Sequence, residues 1–132
     1  MKFKKIEHIT FYGNDIKSPE IFEKIQNFKT LKTFYLGKNL FDKNEINKNI
    51  KKKYYLPYLK EIGITGNFSD ETSHFIPNLI FLDLEQLYIS RNNLSSLKFL
   101  DNVNCPNLIE FWSINNNLTD YHDILKLQFK RK

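Results

Sequence analysis

The stretch Leu84-Glu85-Gln86-Leu87-Tyr88-Ile89-Ser90-Arg91-Asn92-Asn93-Leu94 decides how the rest of the chain is read. Leu84, Leu87, Ile89, Asn92 and Leu94 fall at offsets 0, 3, 5, 8 and 10 within it. Side chains alternate across a strand, so Leu87 and Ile89 share one face of a short strand. Asn92 then ends the strand, and Leu94 turns the chain back toward a core. A unit this small cannot bury its own apolar face, so it predicts neighbours.

The neighbours are present in phase. Moving back 25 residues gives Leu59, Ile62, Ile64, Asn67 and Ser69. A further 28 gives Leu31, Phe34, Leu36, Asn39 and Phe41, and 25 more gives Ile6, Ile9, Phe11, Asn14 and Ile16. Moving forward 24 from Leu84 gives Leu108, Phe111, Ser113, Asn116 and Leu118. An Asn-rich composition supplies one or two such asparagines by chance. It does not supply five that also carry apolar residues at offsets 0 and 3. The asparagines are read as structural, because a carboxamide can donate to one turn of backbone and accept from another.

These offsets are those of the pattern L-x-x-L-x-L-x-x-N-x-L, and the chain resembles the leucine-rich-repeat superfamily over about its full length. Leu84–Leu100 is most similar to intracellular repeats such as those of the regulatory subunit of type-one protein phosphatase. The resemblance implies an α/β fold, a right-handed horseshoe solenoid with a concave parallel sheet and convex helices. It also implies protein–protein recognition by the concave side. One domain of about five repeats is expected over residues 1–132, starting near Ile6, Leu31, Leu59, Leu84 and Leu108, or a segment of a longer array. There are departures. Ser113 and Ser69 stand where apolar residues are expected. Leu79 and Leu82 offer a competing frame in the linker Phe75–Asp83, and a bulge would let Ile114 and Asn117 take the core roles of the last unit.

Composition bounds the rest. Apolar residues make up 41% of the chain and aromatics 15%, which predicts a bulky core. No stretch approaches the roughly 18 apolar residues of a membrane helix, and no apolar run follows the basic start Met1–Lys5. Cys105 is the one cysteine, so there is no internal disulfide, and a reducing, cytoplasmic location is expected. Three glycosylation sequons, at Asn67, Asn93 and Asn117, are read as accidents of an Asn-rich chain. Net charge is +5, with 14 lysines against 6 acids in residues 1–60 and 6 basic residues against 9 acids in the remainder. That basic half raises nucleic-acid or acidic-surface binding through Lys43, Lys48 and Lys51–Lys53 as an alternative function. Their place in a connection favours a solvated face, so nucleic acid is disfavoured as a partner.

Local signals predict a helix after each strand. Ser18-Pro19-Glu20 reads as a helix start followed by Ile21, Phe22, Ile25 and Phe28. Asp42 to Glu45 has the form of a capping box, with Ile46, Ile50 and Tyr54 as the inner stripe. Ser69 begins a shorter helix ending before Pro77, Ser95 or Ser96 caps a turn, and Thr119 caps a last segment carrying Ile124, Leu125 and Phe129.

No catalytic constellation is found, and the chain is read as a non-enzyme with no cofactor and no metal. His8, His74 and His122 lie in different units, and Gly37-Lys38 lacks the preceding glycine of a phosphate loop. What remains is the sheet face. Offsets 2, 4, 6 and 7 point outward and gather Tyr12, Tyr35, Lys38, Glu61, Gln86, Tyr88, Arg91, Glu110 and Trp112 as the partner-binding residues. The asparagines Asn14, Asn39, Asn67, Asn92 and Asn116 form the structural ladder behind them. Tyr88 and Trp112 are expected side by side, with a shallow recess at Gly63 between Tyr88 and Tyr35. The expected function is binding of another protein on this face. A structural segment of a larger assembly is a further alternative, and contact between a basic and an acidic half suggests end-to-end self-association.

Overall fold

Strand pairing follows the spacing of the apolar residues. The computed structural model describes residues 4–39 and 41–119. In chain order the elements are β1 (His8–Tyr12), α1 (Ile21–Ile25), β2 (Thr33–Gly37), α2 (Lys43–Lys48), β3 (Tyr54–Leu56), β4 (Glu61–Gly63), a 3₁₀ helix (Ser73–Asn78), β5 (Leu79–Phe81), β6 (Gln86–Tyr88), a second 3₁₀ helix (Lys98–Asn102) and β7 (Glu110–Trp112). Strands β1, β2, β4, β6 and β7 form one five-stranded parallel sheet in that order, and β3 and β5 form a separate two-stranded parallel sheet. His8 pairs with Thr33, Thr33 with Glu61, Glu61 with Gln86 and Gln86 with Glu110. All four steps keep the register read from the sequence.

The inward positions carry the core. Phe34, Leu36, Ile62, Ile64, Leu87 and Ile89 are buried, as are Leu31, Leu59, Leu84 and Leu94. The first and last units are only half buried at the same offsets, among them Ile9, Phe11, Leu108 and Phe111. Ser113 keeps its expected place by bonding, since its hydroxyl accepts from the Asn116 side chain at 2.9 Å. Ile114 and Asn117 are exposed, so the last unit does not bulge. Phe22 of α1 is the hub of an aromatic cluster, with ring centroids 6.1 Å from Phe34, 6.1 Å from Phe41, 6.2 Å from Tyr54 and 6.3 Å from Phe75. Helix, both sheets and the first 3₁₀ helix therefore meet on one ring. Edge and offset contacts of this kind add about 0.5–1.5 kcal/mol per pair beyond area burial.

The connections overturn the expected horseshoe solenoid with a row of convex helices. The observed fold is a small α/β arrangement of a five-stranded and a two-stranded parallel sheet with few short helices. Helix α1 has 5 residues and α2 has 6. Asn49 ends α2, its side chain donating to the Glu45 carbonyl at 2.8 Å. Tyr54, expected on the helix stripe, lies instead in β3, where aromatic residues suit a strand. Its partner strand β5 absorbs Leu79, and Leu82 is left exposed, so the competing frame is a second sheet and not a shifted repeat.

The remaining helix starts are mixed. Asp42 caps α2, its carboxylate accepting the Glu45 N–H at 3.1 Å. The reciprocal half of the box is replaced by a bond between units, from Asp42 N–H to the Lys17 carbonyl at 2.9 Å. Ser18 accepts the Glu20 N–H at 3.2 Å, but Glu20 is the residue that caps α1. No α-helix starts at Ser69. Its N–H donates to the Thr72 hydroxyl at 2.9 Å, a local bond that competes with helix formation, and a 3₁₀ helix containing Pro77 follows. Ser96 accepts the Lys98 N–H at 3.1 Å at the start of the second 3₁₀ helix. Ile124, Leu125, Phe129 and His122 lie outside the described residues.

The asparagines tie one unit to the next. The Asn92 side chain donates to the Ile64 carbonyl at 2.6 Å and the Ile89 carbonyl at 2.8 Å. Its oxygen accepts the N–H groups of Asn67 at 2.8 Å and Phe68 at 2.9 Å. Asn67 repeats this one unit earlier, donating to Leu36 and Thr65 and accepting from Asn39. Asn39 donates to Phe11 and Gly37, and Asn116 accepts from Asn92 and Leu94. The residue before each of these asparagines is left-handed: Gly13, Lys38, Gly66, Arg91 and Asn115 have φ between 51° and 70°.

Asn92→Ala strips partners from buried backbone groups and is expected to cost about 1–3 kcal/mol for each one left unpaired. Asn14 is exposed and makes one long bond, 3.4 Å to the Tyr12 carbonyl. Asn14→Ala should stay within about 0.5 kcal/mol of the parent. Urea midpoints of the two variants test the ladder, and equal losses would refute it.

Candidate functional site

Residues that alternate with the core positions project from the other face of the five-stranded sheet, where Thr10 and Trp112 are exposed and Tyr35 and Tyr88 half buried. Two rows matter. The first runs His8, Thr33, Glu61, Gln86, Glu110 across the five strands in register. The second runs Thr10, Tyr35, Gly63, Tyr88, Trp112.

In the second row Tyr88 and Trp112 are lateral neighbours as expected, with ring centroids 5.2 Å apart in an edge arrangement. Trp112 is 49% exposed, whereas Tyr88 is half buried. The expected recess at Gly63 is absent. Tyr35 leans across it, and its ring stacks on Tyr88 with centroids 6.3 Å apart and planes 2° from parallel. A Cβ at Gly63 would run into the Tyr35 ring. Adjacent strands are about 4.8 Å apart, so a bare glycine is what lets a ring on the next strand lie down over it. Gly37 plays the same part for Tyr12, whose ring occupies the space a Cβ there would fill. Both glycines stood in the outward rows of the sequence, but their pairing with a tyrosine one strand earlier was the signal that mattered. The result is a continuous aromatic row, Tyr35–Tyr88–Trp112, with Tyr12 separate at the first strand.

The charged residues divide by position along the strands. Glu61, Gln86 and Glu110 are half buried side by side at the strand starts. The Gln86 amide donates to the Glu110 carboxylate at 3.1 Å. Burial first, then the carboxylates of Glu61 and Glu110, push the Tyr88 hydroxyl above its ordinary range. Burial, followed by the Glu110 charge, pushes Glu61 above the usual carboxylate range, while His8 pulls it down. Lys38 and Arg91 stand exposed at the other end, in the left-handed row. The Lys38 ammonium lies 5.5 Å from the Tyr12 ring centroid. The nine expected binding residues thus share a face but fall into an acidic end, an aromatic centre and a basic end.

His8 and His74 are both exposed and far apart in the chain, and no cluster of three or more potential metal ligands exists among the described residues. Nor is any described helix long and apolar enough to cross a membrane. No protein-family model matches the chain, and no curated protein or solved structure is significantly similar to it.

Two measurements check this geometry. Gly63→Ala should force Tyr35 off Tyr88, costing about 1–3 kcal/mol as overpacking does, and should shift the ring protons of both tyrosines in NMR spectra. Unchanged ring shifts would remove the stack. Glu61 has a folded-state pKa above its unfolded value, so its ionisation costs nothing below the unfolded value and the full penalty above the folded one. Glu61→Gln should raise the melting temperature at pH 7 and leave it unchanged near about pH 3. A variant destabilised at pH 7 would mean that the carboxylate is held by a favourable partner.

Proposed function

We propose that the outward face of the five-stranded sheet is a protein-recognition surface, and that the chain belongs functionally with the leucine-rich-repeat proteins its sequence resembles. The observation that carries this reading is the aromatic row Tyr35–Tyr88–Trp112 on the outward sheet face. Rings held in place by their neighbours lose little entropy on binding and bury much area, which is why Tyr and Trp dominate interface hot spots. Arg91 adds a third residue type of that class. The activity is binding without catalysis, and the single cysteine fits a cytoplasmic setting.

Phosphate binding through Lys43–Lys53 is the weaker reading. Lys43 sits 3.7 Å from Glu71 and Lys48 3.2 Å from Glu45, so part of that charge is spoken for locally. A phosphate-based complex loses affinity steeply with salt through counterion release, whereas an aromatic-centred one changes little.

The test is a titration with the partner captured from the native source and purified. Trp112→Ala and Tyr88→Ala should each weaken binding by about 2 kcal/mol or more. Leu87→Ala, a core truncation, should instead cost roughly 2–5 kcal/mol of stability. Aromatic variants that unfold like Leu87→Ala, with the folded fraction binding normally, would make the row packing and remove the site.

A further inference from the structure

The acidic end of this face is incomplete. Glu61 and Glu110 flank Gln86 in register on β4, β6 and β7. Glu110 is engaged by the Gln86 amide. Glu61 makes no ion pair and accepts no side-chain hydrogen bond among the described residues, although it is half buried, and the second carboxylate, Glu110, stands two strands away across Gln86. The titratable groups acting on it are Glu110 and His8. His8 lies two strands away across Thr33, on the order of 10 Å at ordinary strand spacing. The cations of the face do not neutralise it either. Lys38 and Arg91 lie five positions further along their strands, on the order of 15 Å at about 3.3 Å per residue. Tyr88 and Trp112 follow Gln86 and Glu110 by two positions on the same face of β6 and β7, with their rings in contact.

We propose that this face docks a basic segment of a partner protein, with a Lys or Arg side chain lying across Tyr88 and Trp112 and its charge over Gln86, at the acidic end formed by Glu61 and Glu110. This rests on the protein-recognition reading above and names the chemistry of the partner. Charge complementarity selects the occupant. A cation relieves the repulsion between the two carboxylates, and its stem or guanidinium plane packs on the rings. A phosphate would meet both carboxylates, so the aromatic centre does not serve nucleic acid. The chain as a whole carries +5, so general attraction opposes a basic ligand. Any preference for one must come from the local pair.

Trp112 is the single tryptophan and stands in the site, so its emission reports occupancy. The experiment titrates the full chain with three blocked peptides, in which arginine, citrulline or glutamate alternates with threonine and tyrosine. The arginine peptide should shift the Trp112 emission and bind about tenfold tighter than the citrulline peptide, with the glutamate peptide weakest. Glu61→Gln should erase the arginine preference and leave the citrulline affinity unchanged. Circular dichroism verifies its fold, and Glu110→Gln provides an independent second variant. Replacing Lys51, Lys52 and Lys53 by Gln should not weaken the arginine peptide. If arginine and citrulline peptides bind alike, and Tyr88→Ala weakens both, the face recognises protein but not a basic segment, and this inference falls alone. If none of the peptides binds, the inference and the recognition reading fall together.

Discussion

The structure depends on how backbone groups are satisfied where each strand ends. There the chain must leave the sheet, and carbonyls and N–H groups lose their ladder partners. The asparagine side chain answers both needs, donating to carbonyls of its own and the preceding unit while accepting N–H groups from that preceding unit. Buried polar groups without partners are costly, so this side chain is what allows a unit end to be buried at all. The left-handed residue before it makes the tight turn that aims the carboxamide inward. Gly13 and Gly66 take that conformation freely, while Lys38 and Arg91 take it at a cost of roughly 1–2 kcal/mol each. The ladder therefore holds two exposed cations in strained backbone at the edge of the open face.

The face inherits its regularity from this ladder. Because the register is held at the strand ends, a glycine on one strand meets a tyrosine on the strand before it, and the aromatic row closes over the gap. The same register places two carboxylates beside one amide. Neither arrangement needs a loop. Both arise from in-register parallel pairing.

How much of this was legible follows from the physics of each signal. Apolar residues at fixed offsets determine strand registry, because a slip by one residue would turn Leu87 and Ile89 outward. Asn92 and Asp42 were legible because their side chains act on nearby backbone. The connections were not. Tyr54 fits a helix stripe by spacing and a strand by shape, and only the distant Leu79–Phe81 decides between them. Ser69 and Thr72 could cap a helix or bond each other, and Pro77 favours the second outcome. At the site, Gly63 was visible as a small residue between large ones, but whether a ring fills or borders the gap depends on a rotamer that periodicity does not encode.

The start of each strand carries a second feature with a different consequence. The carbonyl of Glu7 accepts N–H bonds from both Lys32 and Thr33, that of Lys32 from Lys60 and Glu61, that of Lys60 from Glu85 and Gln86, and that of Glu85 from Ile109 and Glu110. A lost or gained residue at that point would break two bonds at once in every pair of units. Yet the steps between paired strands are 25, 28, 25 and 24 residues, with no change of register. Length variation has been confined to the connections, where the longest step contains α2 and Lys51–Lys53. The fold thus separates an indel-intolerant front from an indel-tolerant back. A foreign epitope or a cleavable linker belongs within the exposed Lys51–Lys53, and the strand starts should admit substitution but never insertion.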